Sequence, residues 1–128
     1  MNKVVFDASV LLALIKNESG AKIAEKFLGN IIMSSINVSE VAAILLDSFM
    51  LQEKCCECIE PFVHSIIPFD LEQCFLAASL KKHTKHKGLS LGDRACIALG
   101  IKIRAKIYTA DKAWENLKIS GADIQLIR

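Results

Sequence analysis

Long apolar runs are missing from this chain: no stretch approaches the roughly 18 residues that a membrane-spanning helix needs, although 52% of its 128 residues are hydrophobic. The first helical run, residues 8–15, follows an acid, with no basic leader before it and no small-residue cleavage site after it. A secretory signal is therefore not expected, and the chain reads as cytoplasmic with no membrane partner. Linkers are missing too. Six Gly and two Pro are scattered, and there is no internal repeat or low-complexity tract, so a single domain over residues 1–128 with one core is expected. A disulfide framework is absent: the five cysteines, Cys55, Cys56, Cys58, Cys74 and Cys96, are odd in number and two are adjacent. No second cysteine pair and no His-x3-His at a usual ligand spacing follows Cys55-Cys56-Glu57-Cys58, so the cysteines read as free thiols rather than as a zinc knuckle. Aromatics are only 6% of the chain, with one Trp. One such ring does not make a base-stacking surface, and Trp114 with Ala113 and Leu117 reads as core. His64, His83 and His86 pair with no nucleophile.

What the chain does have is apolar residues in excess of its 23% charged ones. That balance points to strands covered on both faces or to a further buried interface. Phe27, Leu28, Ile44, Leu45, Phe49, Met50 and Leu51 are candidates either for core or for a seam with a partner. The formal charge of +2 is unevenly spread. Residues 1–64 carry 5 Lys against 8 acids, and residues 65–128 carry 11 Lys or Arg against 6 acids. The excess peaks at Lys81-Lys82-His83-Thr84-Lys85-His86-Lys87, which suits both a solvated helix end and attraction of a polyanion.

Periodicity alternates between short strands and helices. Strands are expected at 4–6, 31–33, 106–109 and 124–127. Helices are expected at 8–15, 21–28, 37–51, 53–64, from Asp70 through Lys82, at 90–103 and at 111–117. Strands separated by helices imply right-handed crossovers, hence an α/β fold: a three-layer αβα sandwich with a mainly parallel central sheet. In such sheets ligands sit beyond the carboxyl ends of the strands. Asp7 and Asp111 follow two of those strands, while Glu40 and Asp93 stand at helix starts.

Each acid has an ordinary use. Asn37-Val38-Ser39-Glu40 fits a capping box, Ser90-Leu91-Gly92-Asp93 fits a weaker one, and Asp7 and Asp111 suit N-caps. Together they suggest a carboxylate pocket. Unit charges about 4 Å apart repel by roughly 4 kcal/mol at an effective dielectric near 20, so clustered carboxylates must take up protons or bind a cation. Hard oxygen donors suit Mg²⁺ or Mn²⁺.

At these residues the chain resembles the PIN-domain ribonucleases, most closely the toxin of the VapBC toxin–antitoxin type. The resemblance is carried by Val4-Val5-Phe6-Asp7-Ala8-Ser9, by Asn37-Val38-Ser39-Glu40-Val41, by residues 88–99 (GLSLGDRACIAL) and by residues 108–114 (YTADKAW). It implies a PIN-like sheet between helices and Mg²⁺- or Mn²⁺-dependent endonucleolytic cleavage of RNA. Asp7, Glu40, Asp93 and Asp111 would be the metal-binding and catalytic acids, and Ser9 and Thr109 supporting hydroxyls. It also implies a small antitoxin partner and a homodimer. Lys81, Lys82, Lys85, Lys87, Arg94 and Lys112 are candidate RNA phosphate contacts, and for Arg94 a surface salt bridge is the plainer expectation.

The sequence also admits competing readings: a PIN nuclease with a non-toxin role in RNA processing, a non-catalytic RNA-binding module, and a metal-dependent DNA nuclease. A phospho-acceptor receiver domain fits less well, because Asp7-Ala8-Ser9 offers no adjacent acid pair.

Overall fold

The structure, a computed structural model, describes residues 2–128. Its centre is β1 (Val4–Phe6), three apolar residues that are buried throughout. On one side of β1 lie β2 (Ile31–Ser34) and then β3 (Ser65–Ile67); on the other lie β4 (Lys106–Thr109) and β5 (Asp123–Leu126). The sheet order is β3-β2-β1-β4-β5 and every pairing is parallel. The chain first builds outward from β1 through β2 to β3, then crosses back to place β4 against the free side of β1. That reversal leaves a crevice between the carboxyl ends of β1 and β4, where an open α/β sheet binds ligands.

Alternation along the strands divides the core into two layers. Phe6, Ile31 and Met33 face α1 (Ala8–Lys16), α2 (Ala21–Glu25), α3 (Ser35–Asp47) and α4 (Gln52–Ile59). Val5, Ile32 and Ile107 face α5 (Leu71–Ser79) and α7 (Leu91–Ile103), with the buried Trp114 among them. This is the expected three-layer αβα sandwich. Lys102, near the end of α7, meets Asp70 at the start of α5, and Arg94 in the first turn of α7 reaches the carbonyl of Ala77 in the last turn of α5. The two helices therefore run antiparallel. The short α6 (Lys81–Thr84) and the 3-10 turn Lys85–Lys87 accordingly lie toward the end of α7 that carries Asp93.

Several boundaries differ from the sequence reading. The strand β3 went unpredicted because an edge strand of three residues with Ile66 exposed offers too short a pattern. The helix expected from 37 begins at Ser35, with the Ser34 hydroxyl accepting from the Ile36 amide at 3.2 Å. Asn37 is thus inside the helix, and the capping box proposed for Asn37 and Glu40 does not form. That same helix stops at Asp47, before Phe49, which takes a positive φ of 64°. The expected helix over 21–28 ends at Glu25. The helix expected over 53–64 starts one residue earlier and ends at Ile59. The one through Lys82 breaks at Leu80, and after Asp111 only a 3-10 turn, Lys112–Trp114, forms. The last strand is displaced by one residue. Among the described residues no helix is long and apolar enough to cross a membrane.

Candidate metal centre

Asp7 is the first residue past β1 and the N-cap of α1. Its backbone is extended, and its Oδ1 accepts from the Val10 amide at 3.1 Å and from the Ser9 hydroxyl at 2.6 Å. Its Oδ2 accepts from the Thr109 hydroxyl at 2.5 Å, across the β1–β4 crevice. Both hydroxyls are themselves held: Ser9 Oγ accepts from the Ala110 amide at 2.9 Å and Thr109 Oγ1 from the Asp111 amide at 3.0 Å. A hydroxyl that accepts from a backbone N–H is free to give its single hydrogen to Asp7. The network fixes the carboxylate's rotamer and ties the ends of two strands together.

Three donors would ordinarily hold a carboxyl low. Asp7 instead is raised from 3.8 to about 6, because burial disfavours its charge by more than the donors favour it, with the neighbouring Asp93 adding repulsion. It is 4% exposed. The ion pairs among the described residues, Lys54–Glu57, Lys102–Asp70 and Lys102–Glu72, involve none of the four candidate acids.

Asp93 enters from α7. The Ser90 hydroxyl accepts from its amide at 3.2 Å and its Oδ2 accepts from the Ser90 amide at 2.9 Å, so the second expected capping box is real. Glu40 enters from the second turn of α3, with Oε1 accepting from Asn37 Nδ2 at 2.8 Å. The same Asn37 amide donates to the Gly92 carbonyl at 3.0 Å and so joins α3 to α7. All three acids act on the Cys96 thiol: burial pushes it well above its ordinary value, and Asp7, Asp93 and Glu40 push it further in that order. Cys96 lies one helical turn after Asp93 and is fully buried beneath the first turn of α7. Asp111 stands apart. It is exposed, its carboxylate caps the Ala113 amide at 2.9 Å, and its tie to Asp7 runs through Thr109.

Among the described residues, no three His, Cys, Asp or Glu side chains are drawn together tightly enough to enclose an ion. The arrangement is an open pocket rather than a cage, and Mg²⁺ commonly keeps several waters beside one or two carboxylates. The residues fit such a cation: the oxygens are hard donors, and Asp7 is a buried carboxyl lacking a counter-charge.

The basic candidates divide. Lys81, Lys82 and Lys85 are exposed around a shallow hollow with Ala78 and Ser79, and Lys112 is exposed beside Asp111. Lys87 donates to the Glu115 carbonyl at 3.0 Å. Among the described residues Arg94 makes no salt bridge and its buried Nε finds no partner; its Nη1 donates to the Ala77 carbonyl at 3.1 Å. Sequence reasoning missed Cys96 and Gly92 as parts of the pocket and gave Asn37 a different role. The spacing of Cys96 from Asp93, which puts both on one helix face, was the available signal for the thiol.

The family model of the PIN domain matches residues 4–119. No curated protein sequence matches the chain. Among solved structures, a DNA-bound VapBC from Salmonella typhimurium is similar at a TM-score of 0.76 and 17% identity, over 100% of each chain. A toxin–antitoxin complex from Klebsiella pneumoniae is similar at 0.74 and 20% identity, over 94% of this chain and 95% of that one. VapBC2 from Rickettsia felis, bound to a promoter DNA fragment, is similar at 0.72 and 19% identity, over 96% and 97%. With the family model covering nearly the whole sheet and the pocket at its rim, the chain belongs to the PIN-domain family.

Proposed function

We propose that this protein is a metal-dependent endoribonuclease that hydrolyses RNA phosphodiester bonds, the toxin of a toxin–antitoxin pair, working in the cytoplasm. One observation carries the reading: Asp7 is buried at the β1–β4 crevice, held by the Ser9 and Thr109 hydroxyls and in no ion pair among the described residues. Asp7 and Asp93 would hold Mg²⁺ or Mn²⁺ directly. Glu40 and Asp111 would serve through water, at a second ion, or as the base for the attacking water. Such an ion supplies charge neutralisation at the phosphodiester and a lower pKa for water. Ser9 and Thr109 keep the Asp7 oxygens aimed, so no reorganisation is needed when substrate arrives. Lys81, Lys82, Lys85 and Lys112, with Lys87 and Arg94 nearby, would position backbone phosphates without fixing sequence.

A partner protein is supported by the apolar surface of α3 and the turn after it, where Leu46, Phe49 and Leu51 are exposed, Phe49 at 96%. It is supported too by the neighbours that are toxin–antitoxin complexes. A small antitoxin and a second copy of the chain are the proposed occupants of that surface. The deciding experiment compares one RNA and the single-stranded DNA of the same sequence, with Mg²⁺, with Mn²⁺ and with a chelator. RNA cleavage that needs the divalent ion is expected. Equal cutting of DNA, or cutting that survives chelation, would falsify the assignment.

A further inference from the structure

The Glu40 carboxylate rests directly on the backbone of Gly92. A Cβ placed at Gly92 would stand 2.6 Å from Glu40 Cδ and 2.7 Å from Oε1, and closer still to Oε2, so all three carboxylate atoms lie inside the volume a side chain would fill. Gly92 sits in the first turn of α7 with ordinary helical backbone, where alanine would favour the helix more. The helix has no conformational need for glycine there. Asn37 completes the arrangement: one amide nitrogen gives one hydrogen to Glu40 Oε1 and the other to the Gly92 carbonyl, holding the carboxylate to the surface it rests on. Asn37 is itself buried, at 1% exposure.

We infer that Gly92 and Asn37 are positioning residues that seat the Glu40 carboxylate at the pocket: the missing side chain is the seat and the Asn37 amide is the clasp. The use made of that seat rests on the metal-dependent reading above. Any side chain at 92 evicts the carboxylate, which is the flexible end of Glu40, so the backbone survives while Glu40 swings away.

The test is a double-mutant cycle on the full chain with Gly92→Ala, Glu40→Gln and both together, read by Mn²⁺ titration under electron paramagnetic resonance and by RNA cleavage. Gly92→Ala should melt at or above the wild-type temperature without metal, yet bind Mn²⁺ about tenfold more weakly, the scale typical of lost metal-site supports. The double variant should be no worse than Glu40→Gln, because an absent carboxylate cannot be displaced. Asn37→Ala should show the same non-additivity with a smaller loss; should it not fold, the Gly92 cycle decides alone. Wild-type Mn²⁺ affinity in Gly92→Ala, or losses that multiply in the double variant, overturns the seat. A wild-type protein that binds Mn²⁺ without cutting RNA removes the nuclease reading and leaves the binding cycle to judge the seat by itself.

Discussion

Asp7 and Asp70 are one residue type in one local role. Each N-caps a helix with extended backbone, φ −84° and ψ 178° in the first, φ −84° and ψ 177° in the second. Each accepts from the amide three residues on, at 3.1 Å from Val10 and 3.0 Å from Gln73. Yet Asp7 is raised to about 6 by burial, while Asp70 is lowered, first by its hydrogen bond to Lys102 at 2.7 Å and then by the Gln73 amide. The cap is the same; what differs is water and a counter-charge. A carboxyl kept at the surface with a lysine is a helix start and nothing more. One that is buried, held by two hydroxyls and in no ion pair among the described residues has the donor chemistry to suit a hard cation.

Substituting each acid by its amide opens the widest gap between them. Asp7→Asn should fold and lose RNA cleavage by at least about a hundredfold, since even supporting residues of metal sites cost up to about that much. Asp70→Asn should cut at the wild-type rate. Comparable activity in the two variants would remove Asp7 from the mechanism and erase the distinction.

Next comes stability without metal, where the sign is set by Asp7. A carboxyl whose folded pKa exceeds its unfolded one favours folding while protonated, so that contribution is complete below about pH 3.8 and is lost as the pH climbs through about 6. The full movement is worth about 3 kcal/mol. The chelated wild type should therefore weaken between pH 4 and 6, whereas Asp7→Asn, which does not titrate, should be the more stable protein at pH 7 and lose that advantage by pH 4. Urea titrations at both pH values measure it, and parallel curves would mean that Asp7 is solvated in solution. Saturating Mn²⁺ should restore the wild type at pH 7 by about 2.7 kcal/mol at a hundred times its Kd. At pH 4 it should do little.

Why the two aspartates were separable at all from sequence is instructive. Asp7-Ala8-Ser9-Val10 and Asp70-Leu71-Glu72-Gln73 are both an acid before a helix; only the buried strand preceding Asp7 and the resemblance to a known family told them apart. The layers of the fold were legible because β1, β2 and β4 are apolar runs between helices of plain periodicity. The strand at 65–67 was not, being short, half exposed and at an edge. At the site, Asp7, Glu40, Asp93 and Asp111 were candidates by position, while how near one another they come depends on strand order, which periodicity does not encode. Asn37 was misread because Asn-x-x-Glu mimics a capping box, when the cap was Ser34 and the amide was reaching another helix. Cys96 hid as one more small apolar residue of a helix.

The smallest effect lies on the Asp70 side and runs the other way in pH. Asp70's folded pKa is below its unfolded value, so its contribution is present above the unfolded pKa and is lost as the pH falls through the folded one. The hydrogen bond from Lys102 is the largest single cause of that lowering, and both side chains stay in contact with water, so screening limits what the pair adds. Lys102→Met keeps the apolar stem on α7 and removes the charge. It should leave cleavage untouched, lower the melting temperature only slightly, and do so only at low ionic strength, because salt weakens what remains of the pair. The acid limb of the stability curve is the finer measure: below about pH 4 the wild type should lose stability more steeply than Lys102→Met. Superimposable acid limbs would mean that Asp70 caps α5 unaided, and the contrast with Asp7 would then rest on burial alone.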